Sequence, residues 1–187
     1  MKSLLSVLGA LLLTAGAASA ATITFSENPV GTAIDTQYAG LGVVFLPGLG
    51  TGMLPVIADD TDMPDTPVLR PDGGISTYAG DFYIAFLTPV TSVSFQSGYW
   101  NDIGTGLIQI FDASFNVLGA FTNTTTGPED MTFSGLGSIT YLYFNSYNDP
   151  FGADIDNLSF APVPEPGSAL LLAAGLGMLA RRRVGGR

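Results

Sequence analysis

An antiparallel two-sheet β-sandwich, most simply a jelly roll, is the fold this sequence predicts for residues 21–161. Three observations carry the prediction. Eight short runs rich in β-branched and aromatic residues recur along the segment, each bounded by Gly, Pro, Asn or Asp. Helical periodicity is missing from it. Turn-forming residues separate the runs at the spacing of a meander or Greek key rather than of strand–helix units. At about 140 residues the segment is long enough for one domain that removes roughly two-thirds of its unfolded surface from water.

The chain opens with Lys2, an apolar stretch over residues 4–13 and small residues ending in Ala18-Ser19-Ala20. This is the three-part layout of a secretory signal peptide, with cleavage expected after Ala20. Residues 1–20 therefore stand outside the fold. The expected strands are 22–25, 42–46, 82–87, 91–96, 107–112, 117–122, 139–145 and 154–160. In 91–96, Val93 and Phe95 alternate with Ser92, Ser94 and Gln96, the pattern of a sheet with one wet side. In 139–145 both faces are largely apolar, as for a strand in the middle of a sandwich. Residues 49–80, crowded with Gly, Pro and Asp, read as a long loop region with at most short strands.

Past the last strand, Pro162, Pro164 and Pro166 keep the chain extended. An uncharged run rich in Leu, Ala and Gly follows over 169–180, then Arg181, Arg182 and Arg183. As a helix this run reaches about 18 Å at ~1.5 Å per residue, short of the ~30 Å hydrocarbon core. It spans with the help of arginines that snorkel to the headgroups, and their charge sets that end on the cytoplasmic side. The domain before it is left outside.

Composition narrows the function. Cysteine is absent, so an exported domain has to be held by its core, by bound metal or by both. The formal net charge is −10, yet every basic residue except Lys2 and Arg70 lies in the tail, while all acids fall between Glu27 and Glu165. The mature domain is thus more acidic than the whole chain, which argues against nucleic acid and anionic membrane surfaces as partners. Cations and neutral sugars suit it better. With no His, no Cys and no Lys after signal removal, Ser-His-Asp, Cys-His, Schiff-base and histidine-ligated zinc chemistry are excluded. A carboxylate pair of the glycosidase type is what survives, but no spacing singles one out. The expectation is a protein that is not an enzyme, with no catalytic residues.

The C-terminal arrangement resembles the PEP-CTERM sorting signal of Gram-negative bacteria: Val163, Pro164, Glu165 and Pro166, the short apolar run, and Arg181, Arg182 and Arg183. The resemblance implies recognition by a membrane-embedded exosortase, removal of the tail near Pro164-Glu165-Pro166 and delivery to the outer cell surface or extracellular matrix. The inner membrane would hold the protein only transiently through the C-terminal helix, after the secretion machinery has exported it. Exopolysaccharide, biofilm or floc is the setting with which such proteins are associated.

The middle of the chain is similar to the lectin-like jelly rolls that accompany this signal. The similarity lies in Ile23-Thr24-Phe25-Ser26-Glu27 with Pro29-Val30-Gly31-Thr32, in Gln37-Tyr38-Ala39-Gly40-Leu41-Gly42-Val43, in Thr88-Pro89-Val90-Thr91-Ser92-Val93-Ser94-Phe95 and in Asp154-Ile155-Asp156-Asn157-Leu158-Ser159-Phe160. It implies a structural calcium ion where the first and last strands meet, with Glu27 and Asp156, joined by Asp154 or Asp81 and by backbone carbonyls, as oxygen ligands. The competing reading is that these are exposed strand-end acids that keep the domain soluble. A second acidic group, Asp59-Asp60-Thr61-Asp62 with Asp65, reads as a solvated loop kept extended by Pro64 and Pro67.

For extracellular polysaccharide, the informative residues are Tyr99, Trp100, Asn101 and Asp102, which pair aromatic faces with amide and carboxylate groups. Tyr147-Asn148-Asp149 offers a similar set. Against this, the sole Trp of a small β domain also serves as the plug of its core. Three functions follow: a module that binds matrix polysaccharide, a structural surface protein without sugar binding, and a carboxylate-dependent polysaccharide-degrading enzyme.

Overall fold

The structure, a computed structural model, describes residues 20–72 and 78–163. The signal segment and the sorting residues from Pro164 to Arg183 lie outside the described residues. Among the described residues there are nine strands: β1 (Ala21–Ile23), β2 (Val43–Pro47), β3 (Val56–Ala58), β4 (Val68–Arg70), β5 (Asp81–Trp100), β6 (Leu107–Phe111), β7 (Val117–Phe121), β8 (Gly127–Asn145) and β9 (Asp154–Pro162). A 3-10 turn, Ala39–Leu41, precedes β2. Every pairing between these strands is antiparallel, and the all-β expectation holds for the described residues, but the strands hydrogen-bond into one continuous sheet where two were expected.

Two long strands build both halves of the fold. The sequence predicts separate strands over 82–87 and 91–96, because Pro89 removes a ladder donor between them. In the structure the chain bends there without leaving the sheet: pairing with β8 skips from Ala85 to Val90, and Leu87 is exposed. On its other edge β5 pairs first with β2 (Val43↔Phe86 to Pro47↔Phe82) and then, past the bend, with β9 (Val90↔Pro162 to Gly98↔Asp154). β8 bends in step. Where β5 advances from Val90 to Ser92, β8 runs back from Ile139 to Ser134, and the extra residues are absorbed by Gly135 and Gly137 at φ 71° and 96°, a region that penalises any side chain. The hydrogen-bonded order is β3-β4-β9-β5-β8-β6-β7, with β1 on β9 and β2 on β5.

The core lies between the two halves. Phe82, Ile84 and Phe86 from the first part of β5 meet Val93 and Phe95 from the second in one buried cluster, with Leu142, Phe144, Ile108, Ile110, Ile155 and Leu158. Rings run through it in sequence, from Phe25 to Phe45 (6.0 Å), Phe82 (6.4 Å), Phe144 (5.3 Å) and Trp100 (5.9 Å). Each fully buried ring contributes on the order of 2–3 kcal/mol relative to exposure, which compensates for the lack of disulfides. The expected alternation in 91–96 is present: Val93 and Phe95 are buried, and Ser92, Ser94 and Gln96 are half-buried. In 139–145, Leu142 and Phe144 enter the core while Tyr141 and Tyr143 take the opposite face. There Tyr143 packs on Tyr83 (4.7 Å) and Tyr141 stacks on Phe115 (4.2 Å).

Residues 49–80, expected as a long loop region with at most short strands, contain β3 and β4, a short antiparallel pair that joins β9 through Leu69↔Ile155. Ala58, Met63 and Val68, with Tyr78, form a small apolar cluster of their own beneath the connecting loop. The first part of β8 was also unexpected, because Pro128, Glu129 and Asp130 obscure its alternation.

Candidate functional site

The chemistry of β9 depends on one irregularity. Its pairing with β5 slips between Ser94↔Ser159 and Gln96↔Asp156, and Asn157 takes a left-handed φ of 52°. Asn tolerates that conformation better than other residues with side chains. Beyond the slip Ile155 enters the core, so strict alternation turns Asp154 and Asp156 to the other side of the strand. Both remain buried, at 0% and 1% exposure.

Neither acid is adequately paired. Both carboxylate oxygens of Asp154, and Oδ1 of Asp156, are buried without a hydrogen-bond partner; Oδ2 of Asp156 accepts from Asn157 Nδ2 at 3.0 Å. Desolvation pushes the Asp154 carboxyl well above the usual range, the Asp60 carboxyl within hydrogen-bonding reach adds to it, and the charges of Asp60 and Asp156 push it further. Asp156 is raised to about 6, first by burial and then by repulsion from Asp65 and Glu27. The loop between β3 and β4 therefore reaches the acids of β9. Asp59, Asp62 and Asp65 are exposed, as expected of a solvated loop, while Asp60 is half-buried beside Asp154, because the pairing of β4 with β9 brings that loop back onto the strand.

The expected calcium ligands separate into two groups. Asp154 and Asp156 sit together, with Glu27 in electrostatic reach of Asp156, and their unpartnered oxygens suit a hard cation. Glu27 already accepts a hydrogen bond from the Tyr38 hydroxyl at 3.0 Å. Asp81 does not fit. Its buried carboxylate accepts from Gly50 N–H at 3.2 and 3.0 Å and from the Tyr143 hydroxyl at 2.8 Å, so it fastens the turn after β2 to β8. Among the described residues no three Asp or Glu side chains converge into a ready cage, so any ion at β9 completes its shell with water and backbone carbonyls.

The expected sugar-binding run is also divided, between Tyr99 and Trp100. Trp100 is fully buried against Phe144 and backed closely by Gly106, so it is the plug of the core and presents no face to a ligand. Tyr99 projects outward, 43% exposed. The loop after it is held from two sides. Asp149 Oδ2 accepts from the backbone N–H of Asn101 (2.9 Å) and Asp102 (3.3 Å) and from the Thr105 hydroxyl (3.0 Å). Asn123 Oδ1 accepts from Gly106 N–H (2.9 Å), and its amide donates to the Asp102 carbonyl (2.8 Å). Asp149, expected in a second sugar-binding set, instead organises the first. The Asp102 side chain is exposed and does not line the cleft described next.

That cleft, about 540 Å³, lies between this loop and the β3–β4 loop. Its rings are Tyr78, Tyr99 and Phe151, the last 68% exposed, and its polar groups are Asn101, Asp59, Asp60 and Asp62. Tyr78 is fixed by donating its hydroxyl to the Asp59 carbonyl (2.8 Å), and the Arg70 guanidinium lies over its ring at 5.3 Å. Gly152, at φ 83°, passes so close to the backbone of Tyr78 and Ala79 that a Cβ would overlap it, and this contact sets Phe151 at the rim. The sequence signal for Tyr78, Phe151 and Asp60 was weak. They come from three separate segments and share no spacing.

No known protein-family profile and no curated protein matches the chain. Solved structures give low-level likenesses. The K2 cleaved adhesin domain of Lys-gingipain (Kgp) is 18% identical with a TM-score of 0.39, covering 76% of this chain and 99% of that one. The K1 cleaved adhesin domain of Lys-gingipain from Porphyromonas gingivalis is 14% identical with a TM-score of 0.37, covering 78% and 99%. A carbohydrate-binding module, BiXyn10A CBM1 in its apo form, is 8% identical with a TM-score of 0.32, covering 79% and 99%. At such scores these likenesses carry no argument about ligand or activity.

Proposed function

We propose that this is an exported, non-catalytic interaction module that binds neutral polysaccharide of the extracellular matrix in the cleft between the β3–β4 loop and the loop after β5. The observation that carries the reading is the pairing of exposed rings, Tyr99 and Phe151, with the amide of Asn101 and the carboxylates of Asp59 and Asp62 on a rigid frame. Sugar rings stack their C–H faces on aromatics and bond their hydroxyls to such groups. The absence of His and Cys and the strong negative charge support binding over catalysis, and neutral glycan over anionic polymer.

Sorting by an exosortase through Val163 to Arg183 completes the reading. Val163 donates its N–H to the Pro89 carbonyl at 3.1 Å, one residue past the end of β9, which supports a domain boundary where the Pro-Glu-Pro segment begins. Glycan-array and pull-down measurements on the mature protein test the first part. Tyr99→Ala and Phe151→Ala remove exposed rings, each expected to weaken glycan binding about tenfold with folding intact. Binding at wild-type strength by both variants refutes the assignment of the cleft. For the second part, replacing Pro164, Glu165 and Pro166 by Ala should leave full-length protein in the inner membrane. Normal release at the surface would contradict it.

A further inference from the structure

We propose that Asp60 and Asp154 together bind a divalent cation of the calcium class, and that the ion fastens the β3–β4 loop onto β9 beside the Asp60 wall of the cleft. The site shares Asp154 with the ligand set that the family resemblance implies, but in place of Glu27 and Asp156 it uses a residue, Asp60, that the sequence assigns to solvent. Its cation chemistry does not require the glycan reading, although the ion would stiffen the same cleft.

The argument begins with Asp154. A carboxylate with no exposure and no donor on either oxygen is expensive, and native structures satisfy such groups or neutralise them. After burial itself, the groups that act most on it are Asp60, whose carboxyl lies within hydrogen-bonding reach, and Asp156; both are acids, so its protein surroundings raise the cost. Around them stand Asp59, Tyr78 and Arg70, whose guanidinium is placed over the Tyr78 ring, and on the far side of Asp156 stand Asp65 and Glu27. Two remedies remain for Asp60 and Asp154: a shared proton or a cation. Geometry favours the cation. Asp154 supplies two unengaged oxygens from a rigid strand, and Asp60 is only half-buried and lines the open cleft, so an ion can enter from solvent and keep its waters on that side. All the donors are hard oxygens, which select calcium over softer metals. Asp60 is also held in place for the task, because its Oδ1 accepts from Asp62 N–H at 2.9 Å and its own N–H donates to the Thr66 hydroxyl at 3.2 Å.

The test uses mature protein stripped with chelator at pH 7. Calcium is added in a calorimeter and in thermal melts, and terbium is used as a luminescent stand-in excited through nearby Tyr78. The wild type should give binding heat, a higher Tm with calcium, and tyrosine-sensitised terbium emission. Asp154→Asn and Asp60→Asn should lose all three, and Asp154→Asn should melt above the wild type in chelator because it removes the uncompensated charge. Glu27→Gln should keep the response. Absence of any calcium response in the wild type overturns the proposal, as does a wild-type response in Asp60→Asn. So does a response abolished by Glu27→Gln and spared by Asp60→Asn, which would put the ion at Glu27 and Asp156. Should Asp154→Asn fail to fold, Asp60→Asn, on a half-exposed loop, decides alone. Glycan binding that persists in chelator would leave the reading of the cleft intact while showing that the ion does not govern it.

Discussion

Replacing Trp100 by Ala distinguishes a core plug from a sugar platform, and the structure supplies the magnitude. A fully buried Trp withdraws on the order of 250 Å² from water, worth about 6 kcal/mol at 25 cal/mol per Å² as an upper bound. Its indole Nε1 has no hydrogen-bond partner, which offsets about 1–3 kcal/mol of that. The remainder, about 3–5 kcal/mol, agrees with the usual cost of truncating a buried aromatic. Against a total stability of roughly 5–15 kcal/mol this is about a fifth of the fold or more. Urea unfolding followed by circular dichroism measures the loss directly. In the wild type, Trp100 emission should be blue-shifted, poorly quenched by acrylamide and unchanged by glycan. A Trp100→Ala variant within about 1 kcal/mol of the wild type, or a freely quenched Trp100, would refute the placement of this side chain in the core.

Two other predictions follow from buried groups. Asp156 is raised from 3.8 to about 6, so in chelator its contribution is fully present below pH 4 and is lost as pH rises through 6. The loss is roughly 2–3 kcal/mol, and Asp154, raised for the same reason, adds to it with the same sign. Urea unfolding at pH 4.5 and 7.5 should show the wild type less stable at the higher pH and Asp156→Asn with a flatter profile; identical slopes for the two proteins would count against the assignment. Gly152→Ala forces a side chain into the Tyr78 backbone at a left-handed φ, with an expected cost of about 3 kcal/mol or more and loss of the bridge between Tyr78 and Gly152. Thermal melting at wild-type temperature would show that the two segments do not depend on this contact.

The site illustrates how a small slip in register moves chemistry. Without the left-handed Asn157, alternation from Leu158 and Phe160 would carry Asp156 and Asp154 into the apolar core. The slip delivers Ile155 there instead and leaves two acids under a loop that is itself acidic. Their burial, rather than their number, gives them unusual properties. Asp112, in contrast, accepts from Ser114 and Asn116 in its exposed turn, and its carboxyl is lowered by those bonds.

By itself the sequence determined that the described part of 21–161 is built on strands without an α-helix, that eight runs would pair, and which side of 91–96 would be wet. These follow from local alternation and turn chemistry, which a linear reading contains. It also bounded the chemistry, since a chain without His or Cys cannot use them. The tertiary structure decided the rest. It joined 82–87 and 91–96 into one bent strand, because a proline that breaks one hydrogen bond need not break the pairing on either side. It buried Trp100 while exposing Tyr99, because burial of one ring in a dipeptide depends on the irregular pairing near Gly98. It also brought Asp60 to Asp154, and Tyr78 and Phe151 to Tyr99, from segments far apart in the chain. Such meetings depend on which strands become neighbours, and no local pattern records that.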